Sequence, residues 1–256
     1  MKENTFSIII PCYNREKTIA RALNSLRIQD YNFAKVEIII VNDGSTDDTY
    51  GEIFPFLNYF PNIYVINFEK NKGRLAARNA GMAAAKNDWI CWLDSDDEYC
   101  STYLSTINAA IDKFPDYKVF NFGAIAFDEQ NFLYHVRDAF MPGVRKGGNG
   151  HDVFKSGGIG SGSFVFRRSL LMGEDGFLPE ANSPYGDDES FPARAVAKWP
   201  DLRELYGKTD TGQWQPLGNP WGDDYLMFFA LTRNNLSKPL NIPLYLQHVR
   251  HGQWIL

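Results

Sequence analysis

Four short, largely apolar runs separated by helix patterns and short links constrain the fold of this chain most. The runs occupy residues 6–10, 36–41, 63–66 and 89–93. Such lengths are typical of strands that are buried on both faces of a sheet. Helix patterns fill two of the intervals, at residues 19–26 and 73–86. This alternation predicts an α/β fold with a parallel sheet and right-handed crossovers.

In the second half of the chain apolar and polar residues alternate less regularly, and this change occurs near residue 100. We expect two functional halves, residues 1–99 and 100–256, that share one continuous sheet in a single domain. The segments predicted in the second half are helices at 101–114 and 224–233, strands at 118–127, 163–166 and 242–246, and loops at 182–188 and 207–222.

Composition excludes several classes of protein. The 256 residues fit one large domain, and the net charge of −5 argues against nucleic acid as a main partner. We expect no membrane span, because no run of about 18 apolar residues occurs. The first residues lead directly into a strand pattern, so we expect no signal peptide. The three cysteines lack metal or disulfide spacing, which favours reduced thiols in a cytoplasmic protein.

Three carboxylates follow the apolar run at 89–93, namely Asp94, Asp96 and Asp97. Ligands of open α/β sheets bind beyond the carboxyl ends of the strands. In an extended chain Asp94 and Asp96 would point to one side and Asp97 to the other. Their mutual repulsion would be relieved by a hard divalent cation with oxygen ligands, such as Mg²⁺ or Mn²⁺. The alternative is a solvated acidic loop, which the buried run before it disfavours.

The other strand ends also carry polar residues. Tyr13 and Asn14 follow the first run, and Asp43 follows the second, with Ser45 or Thr46 available to cap the next helix. Polar groups are therefore expected to converge along one edge of the sheet.

Four segments, taken together, resemble glycosyltransferase family 2, whose members have the GT-A fold. They are SIIIPCYN at 7–14, IIVNDGSTD at 39–47, NKGRLAARNAG at 71–81 and LDSDD at 93–97. The resemblance covers about the first 100 residues and is thinner beyond them. It implies a mostly parallel central sheet flanked by helices, with a nucleotide-sugar-binding half at 1–99 and an acceptor-binding half at 100–256.

The resemblance also implies a nucleotide-sugar-binding role for seven residues: Pro11, Tyr13, Asn14, Asp43, Arg74, Asp94 and Ser95. Asp43 would accept a hydrogen bond from the base, typically from uracil N3–H, because a carboxylate accepts but cannot donate. Its alternative role is to cap the strand end. Tyr13 would lie against the base or simply pack. Arg74 would contact the base or a phosphate, whereas Arg78 is a candidate for a structural role.

The implied reaction is displacement of a nucleoside diphosphate from the anomeric carbon of the donor sugar. Asp96, with His251, would hold a Mn²⁺ or Mg²⁺ cofactor that acts as a Lewis acid on the diphosphate. His248 and Arg250 are alternatives for contacting the metal or a phosphate. A single displacement would invert the anomeric centre, and it requires a general base on the opposite face of the sugar.

Two acidic pairs compete for the role of base. The family pattern is an acidic pair that opens a helix, followed by an arginine, a strand and a turn with His and Arg. Asp223 and Asp224 fit it better, with Asp224 as base and Asp223 orienting it or the acceptor. Asp187 and Asp188 remain an alternative, and helix capping is a further role for either pair.

The resemblance therefore implies an inverting, metal-dependent glycosyltransferase with a UDP-sugar donor. The acceptor would be a saccharide or lipid-linked saccharide in bacterial surface polysaccharide synthesis, which implies a cytoplasmic protein or one at the inner face of the cell membrane. Competing hypotheses are a catalytically silent sugar-nucleotide-binding protein and a sugar nucleotidyltransferase. The sequence identifies neither the sugar nor the oligomeric state.

Overall fold

The computed structural model describes residues 3–128, 133–137, 164–170, 206–208, 214–216 and 237–249. The helices are α1 (Ile19–Arg27), α2 (Thr49–Ile53), α3 (Arg74–Ala84) and α4 (Tyr103–Lys113). Strands of the first hundred residues are β1 (Phe6–Cys12), β2 (Val36–Asn42), β3 (Ile63–Asn67), β4 (Trp89–Trp92) and β5 (Glu98–Tyr99). Later strands are β6 (Val119–Asp128), β7 (Leu133–Arg137), β8 (Phe164–Arg167), β9 (Tyr206–Lys208), β10 (Trp214–Pro216) and β11 (Ser237–Val249).

Nine of the described strands form one large sheet in the order β3-β2-β1-β4-β8-β6-β11-β5, with β7 also paired to β6. The first four strands in this order are parallel to their neighbours, as the alternation with helices predicts. Beyond β4 the sheet is mixed. β8 pairs antiparallel with both β4 and β6, and β11 runs parallel to β6 but antiparallel to β5. Strands from both halves of the sequence thus share a sheet, while the functional division at residue 100 stays a prediction.

The core lies on both faces of the parallel strands. Every residue of β1 and β2 is buried. Helix α1 covers one face with Ile19, Ala22, Leu23 and Leu26, the stripe that the sequence predicts. Helix α3 contacts β1 and β2, and Gly81 permits its close approach, because a Cβ there would lie 2.3 Å from the Ile9 side chain.

Some local expectations are wrong. Helix α2 begins at Thr49, so neither Ser45 nor Thr46 caps it. The predicted loop at 207–222 contains most of a small antiparallel ladder, in which β9 pairs with β10. The predicted helix at 224–233 and the loop at 182–188 lie outside the described residues. Within the described part of the chain, no helix combines the length and apolar character needed to cross a membrane.

Candidate active site

The carboxyl ends of β1, β2 and β4 bring the polar strand-end residues to one edge of the sheet. Cys12 at the end of β1 pairs with Asn42 at the end of β2. The Asp43 N–H donates to the Cys12 carbonyl at 2.8 Å, and the Leu93 N–H donates to the Ile9 carbonyl at 3.1 Å. The three turns that follow these strands are therefore neighbours, which confirms the predicted convergence.

Asp43 fastens two loops of this edge together. Its side chain is buried, and its two oxygens accept from the backbone N–H groups of Lys72 at 2.7 Å and Gly73 at 2.9 Å. Gly44 makes this approach possible, because it has φ +69° and a Cβ there would lie 2.5 Å from the Lys70 backbone. Asp43 thus bonds the loop that precedes α3, whereas its alternative role as a cap on the strand end stays a prediction. A carboxylate has about four acceptor sites, so two bonds leave capacity for a ligand N–H.

The turn after β1 is tied to the turn after β2. Asn14 has φ +52°, a conformation that asparagine tolerates better than most residues. Its N–H donates to Ser45 Oγ at 2.9 Å, and its side-chain oxygen accepts from the Thr46 N–H at 2.9 Å. These contacts explain why Ser45 and Thr46 do not cap α2. Tyr13 is 41% exposed beside this turn, whereas Pro11 is buried within β1.

The acidic residues after β4 form a tight turn. The Asp97 N–H donates to the Asp94 carbonyl at 3.0 Å, so the extended geometry assumed from the sequence does not hold here. Asp94 and Asp96 are nevertheless both partly exposed, whereas Ser95 and Asp97 are buried. The expected separation of Asp94 and Asp96 from Asp97 is therefore present, although a turn rather than strand alternation produces it.

Arg78 holds Asp94 in place. Its Nη2 lies 3.3 Å from Asp94 Oδ1, and its guanidinium lies 4.9 Å from the centre of the Trp92 ring. Arg78 is almost fully buried, so its charge is compensated here rather than offered to solvent. Arg74, the other arginine singled out in this segment, is exposed at the first position of α3.

Asp97 attaches the acidic turn to β11. Its carboxylate accepts from the His248 backbone N–H at 2.9 Å and from the Tyr245 hydroxyl, and that hydroxyl accepts from the Asp94 N–H at 3.2 Å. Burial, together with the charges of Asp94 and Asp96, raises the pKa of Asp97 well above its usual range. The raised pKa favours the protonated form of the Asp97 carboxyl group.

Two arginines contact Asp96, namely Arg15 in the segment before α1 and Arg21 within α1. Arg15 Nη2 lies 3.4 Å from Asp96 Oδ2, and Arg21 donates to the Asp96 carbonyl at 2.9 Å. Sequence reasoning missed both residues, as it missed Tyr245. The available signal was position, because a helix that follows a strand begins at the same sheet edge as the ligand site.

The comparisons with known proteins identify the family of this chain. The sequence model of the family described as Glycosyl transferase family 2 matches residues 7–173, more than half of the chain. The chain belongs to this family.

Curated glycosyltransferases match about half of the chain or somewhat less. The glycosyltransferase GlyA of Streptococcus pneumoniae is 30% identical over 135 residues, which are 52% of this chain and 19% of GlyA. The poly(ribitol-phosphate) beta-N-acetylglucosaminyltransferase TarS of Staphylococcus aureus is 36% identical over 109 residues, 42% of this chain and 19% of TarS. The matched part is about a fifth of each of these two relatives.

Similarity to a solved glycosyltransferase structure supports the fold. The structure of S. aureus TarS residues 1–349 in complex with UDP-GlcNAc superposes with a TM-score of 0.62 and 21% identity. The superposition covers 97% of this chain and 60% of that one. The predicted α/β GT-A fold is therefore confirmed.

Several family-based site predictions fall on residues that the structure does not describe. Asp187, Asp188, Asp223, Asp224 and His251 lie outside the described residues. The other histidine considered, His248, has its Nε2 2.7 Å from Glu98 Oε1, so this ring nitrogen is engaged with a carboxylate. The assignments of Pro11, Tyr13, Asn14, Asp43, Arg74, Asp94, Ser95 and Asp96 remain predictions, and all eight residues lie on or beside the same sheet edge.

The donor set at the acidic turn fits a divalent cation. Asp94 and Asp96 offer carboxylate oxygens, the ligands that Mg²⁺ and Mn²⁺ prefer, and both side chains are partly exposed. Within the described segments no cluster of three or more His, Cys, Asp or Glu side chains is arranged to hold a metal. A cation bound here would therefore take only part of its coordination shell from Asp94 and Asp96.

Proposed function

We propose that this protein is an inverting, metal-dependent glycosyltransferase that moves a sugar from a nucleoside-diphosphate sugar to an acceptor hydroxyl. One observation carries the proposal. The polar strand-end residues of β1, β2 and β4 converge at a single sheet edge, in a chain whose sequence belongs to glycosyltransferase family 2. In open α/β sheets this edge is where ligands bind.

The donor is a UDP-sugar in this proposal. Asp43 accepts the uracil N3–H with the acceptor capacity that Lys72 and Gly73 leave, and Tyr13 lies against the base. Arg74 contacts the base or a phosphate from the start of α3, where the positive end of the helix dipole also favours an anion. Support comes from TarS, a 36%-identical relative over the matched segment, which binds UDP-GlcNAc.

Asp96 holds the cation, with Asp94 beside it and His251 as a further ligand. A bound Mn²⁺ or Mg²⁺ supplies a counter-charge for the leaving diphosphate. Asp94, fixed by Arg78, and Ser95 orient the ribose or the donor sugar. Asp97 keeps the turn rigid through its bonds to β11, which limits the reorganisation needed at the moment of reaction.

Asp224 is the general base, with Asp223 orienting it or the acceptor, and Asp188 is the alternative. Attack by the activated hydroxyl on the face opposite the leaving group inverts the anomeric centre. The acceptor class follows from relatives whose names refer to cell-wall polymers, namely TarS and the minor teichoic acid biosynthesis protein GgaA of Bacillus subtilis. A lipid-linked acceptor would place the reaction at the inner face of the cell membrane.

Release of nucleoside diphosphate from UDP-, GDP-, CDP- and dTDP-sugars tests the reaction class. We expect release from a UDP-sugar, faster with Mn²⁺ than with EDTA, and an anomeric product of inverted configuration by NMR. Donor binding without release, for every donor and with cell-wall polymer added as acceptor, would instead favour a silent sugar-nucleotide-binding protein.

The base is tested by comparing two variants. Asp224→Asn should lose transfer while keeping donor affinity, because only the proton acceptor is removed. Asp188→Asn serves as the matched comparison. Retained transfer in the first variant and loss in the second would reassign the base to Asp188.

A further inference from the structure

We propose that Arg15 is a diphosphate-binding residue that leaves Asp96 when the cation and the nucleoside diphosphate enter. The proposal rests on the proposed function and concerns the same sheet edge. Neither the sequence motifs nor the family resemblance assigns a role to this residue.

The backbone of Arg15 is fixed at the edge. Its N–H donates to Thr49 Oγ1 at 2.7 Å, and its carbonyl accepts from the N–H groups of Thr18 and Ile19, each at 3.0 Å. The side chain therefore starts from a defined point in the turn that carries Tyr13 and Asn14. It extends from there to the acidic turn, and so spans the space between the proposed base pocket and the proposed metal site.

Among the described residues, the contacts of the guanidinium are long and therefore weak. Nη1 donates to the carbonyls of Tyr13 and Asn14 at 3.3 and 3.2 Å, and Nη2 lies 3.4 Å from Asp96 Oδ2. The Nε atom is buried and has no acceptor among the described residues. The Arg15 and Asp96 side chains are 34% and 39% exposed, so their ion pair is solvated and easily exchanged.

Electrostatic interactions favour a movement of the Arg15 guanidinium from Asp96 to the diphosphate when the cation binds. A divalent cation on Asp96 would stand where the guanidinium now lies, and the two positive groups would repel each other. A diphosphate presents charged oxygens that match the planar fork of arginine better than a single carboxylate oxygen at 3.4 Å. Arg15 would then neutralise part of the leaving-group charge.

The acidic turn does not need Arg15 to keep its shape. Arg21 donates to the Asp96 carbonyl at 2.9 Å, and Asp97 is bonded to β11. Removing the Arg15 side chain should therefore leave the turn folded, which makes the proposal testable by substitution.

The test is calorimetric titration of wild type and Arg15→Ala with uridine, with UDP in the presence of Mn²⁺, and with Mn²⁺ alone. UDP affinity should fall about 10- to 100-fold in Arg15→Ala, the range expected for hydrogen bonds to a charged group. Uridine affinity should not change. Affinity for Mn²⁺ alone should rise, because the competing guanidinium is gone.

Two further variants sharpen the result. Arg15→Lys keeps the charge but loses the fork, so its UDP affinity should be intermediate. Arg27→Ala removes an exposed arginine at the end of α1, which contacts the Tyr59 ring, and should bind like wild type. Unchanged UDP affinity in Arg15→Ala, or an equal loss for uridine and UDP, would overturn the role of Arg15 alone. Absence of UDP binding by wild type would overturn the UDP-sugar donor and this inference together.

Discussion

Replacement of Asp43 by asparagine tests the junction between the two loops that border the proposed base pocket. The carboxylate accepts two backbone N–H groups, at 2.7 and 2.9 Å, and only 3% of the residue is exposed. Asparagine keeps one acceptor oxygen and presents an NH₂ group to the other N–H. One hydrogen bond to a charged acceptor is lost and one donor is left unsatisfied, which costs about 1–3 kcal/mol.

Loss of the negative charge destabilises the Asp43→Asn protein by a further, smaller amount. Asp43 lies at the start of α3, where a negative charge interacts favourably with the helix dipole by about 0.3–1 kcal/mol. We therefore expect the free energy of unfolding of Asp43→Asn to fall by about 1–4 kcal/mol, a lowering of the melting temperature by about 2–4 °C for each kcal/mol.

Urea unfolding followed by circular dichroism measures this change. Asp30→Asn is the matched control, because Asp30 is exposed and its substitution should stay within about 0.5 kcal/mol of wild type. An Asp43→Asn protein as stable as the control would refute the reasoning that the second carboxylate oxygen holds the loop.

Three further predictions address the surrounding structure. Gly44→Ala should lower the melting temperature clearly more than Gly51→Ala, because its Cβ meets loop backbone at 2.5 Å and its φ is +69°, whereas at Gly51 the Cβ meets only a movable side chain. Arg78→Met should destabilise the folded protein by about 3 kcal/mol in the same urea assay, because it removes the guanidinium that lies 3.3 Å from the partly buried Asp94 carboxylate. Cys12 and Cys91 should resist thiol reagents at pH 8, because burial raises the pKa of both thiols to about 12 and leaves about one thiolate in ten thousand. Mass spectrometry after labelling with and without urea checks this, and rapid labelling of either thiol in the folded protein would contradict it.

The parallel half of the fold is readable from the sequence because burial on both faces leaves a clear signal. Each strand there is a short apolar run, and the run between residues 36 and 41 matches β2 almost residue for residue. The convergence of Asp43 and Asp94 also follows from the sequence, since carboxyl ends of parallel strands share one edge.

Strand pairings and hydrogen bonds between residues far apart in the chain could not be predicted from local sequence patterns. Nothing in the pattern at 163–166 specifies that β8 inserts antiparallel between β4 and β6. Likewise, the bond between Asp97 and the backbone of His248 joins residues 151 positions apart. Such contacts depend on how the whole sheet is assembled. They fix the acidic turn as firmly as its own sequence does.

Hydrogen bonds to a neighbouring turn explain why α2 begins later than the sequence predicts. Ser45 and Thr46 are good capping residues, but both bond to Asn14 in the neighbouring turn. The turn at Ser95 is a second case, because Asp-Ser-Asp is a sequence with turn chemistry, which the expectation of an extended chain leaves out. In both places tertiary or turn geometry overrides the simplest local pattern.

The most direct test of the account is the affinity for UDP with Mn²⁺ and with EDTA, measured by calorimetry on wild type and Asp96→Asn. We predict binding at least about tenfold tighter with Mn²⁺ for wild type, a difference of about 1.4 kcal/mol. In Asp96→Asn this metal dependence should disappear, while Asp30→Asn keeps it. Equal UDP affinity with Mn²⁺ and EDTA, or an Asp96→Asn protein that behaves like wild type, would contradict a cation held at this turn for a diphosphate leaving group.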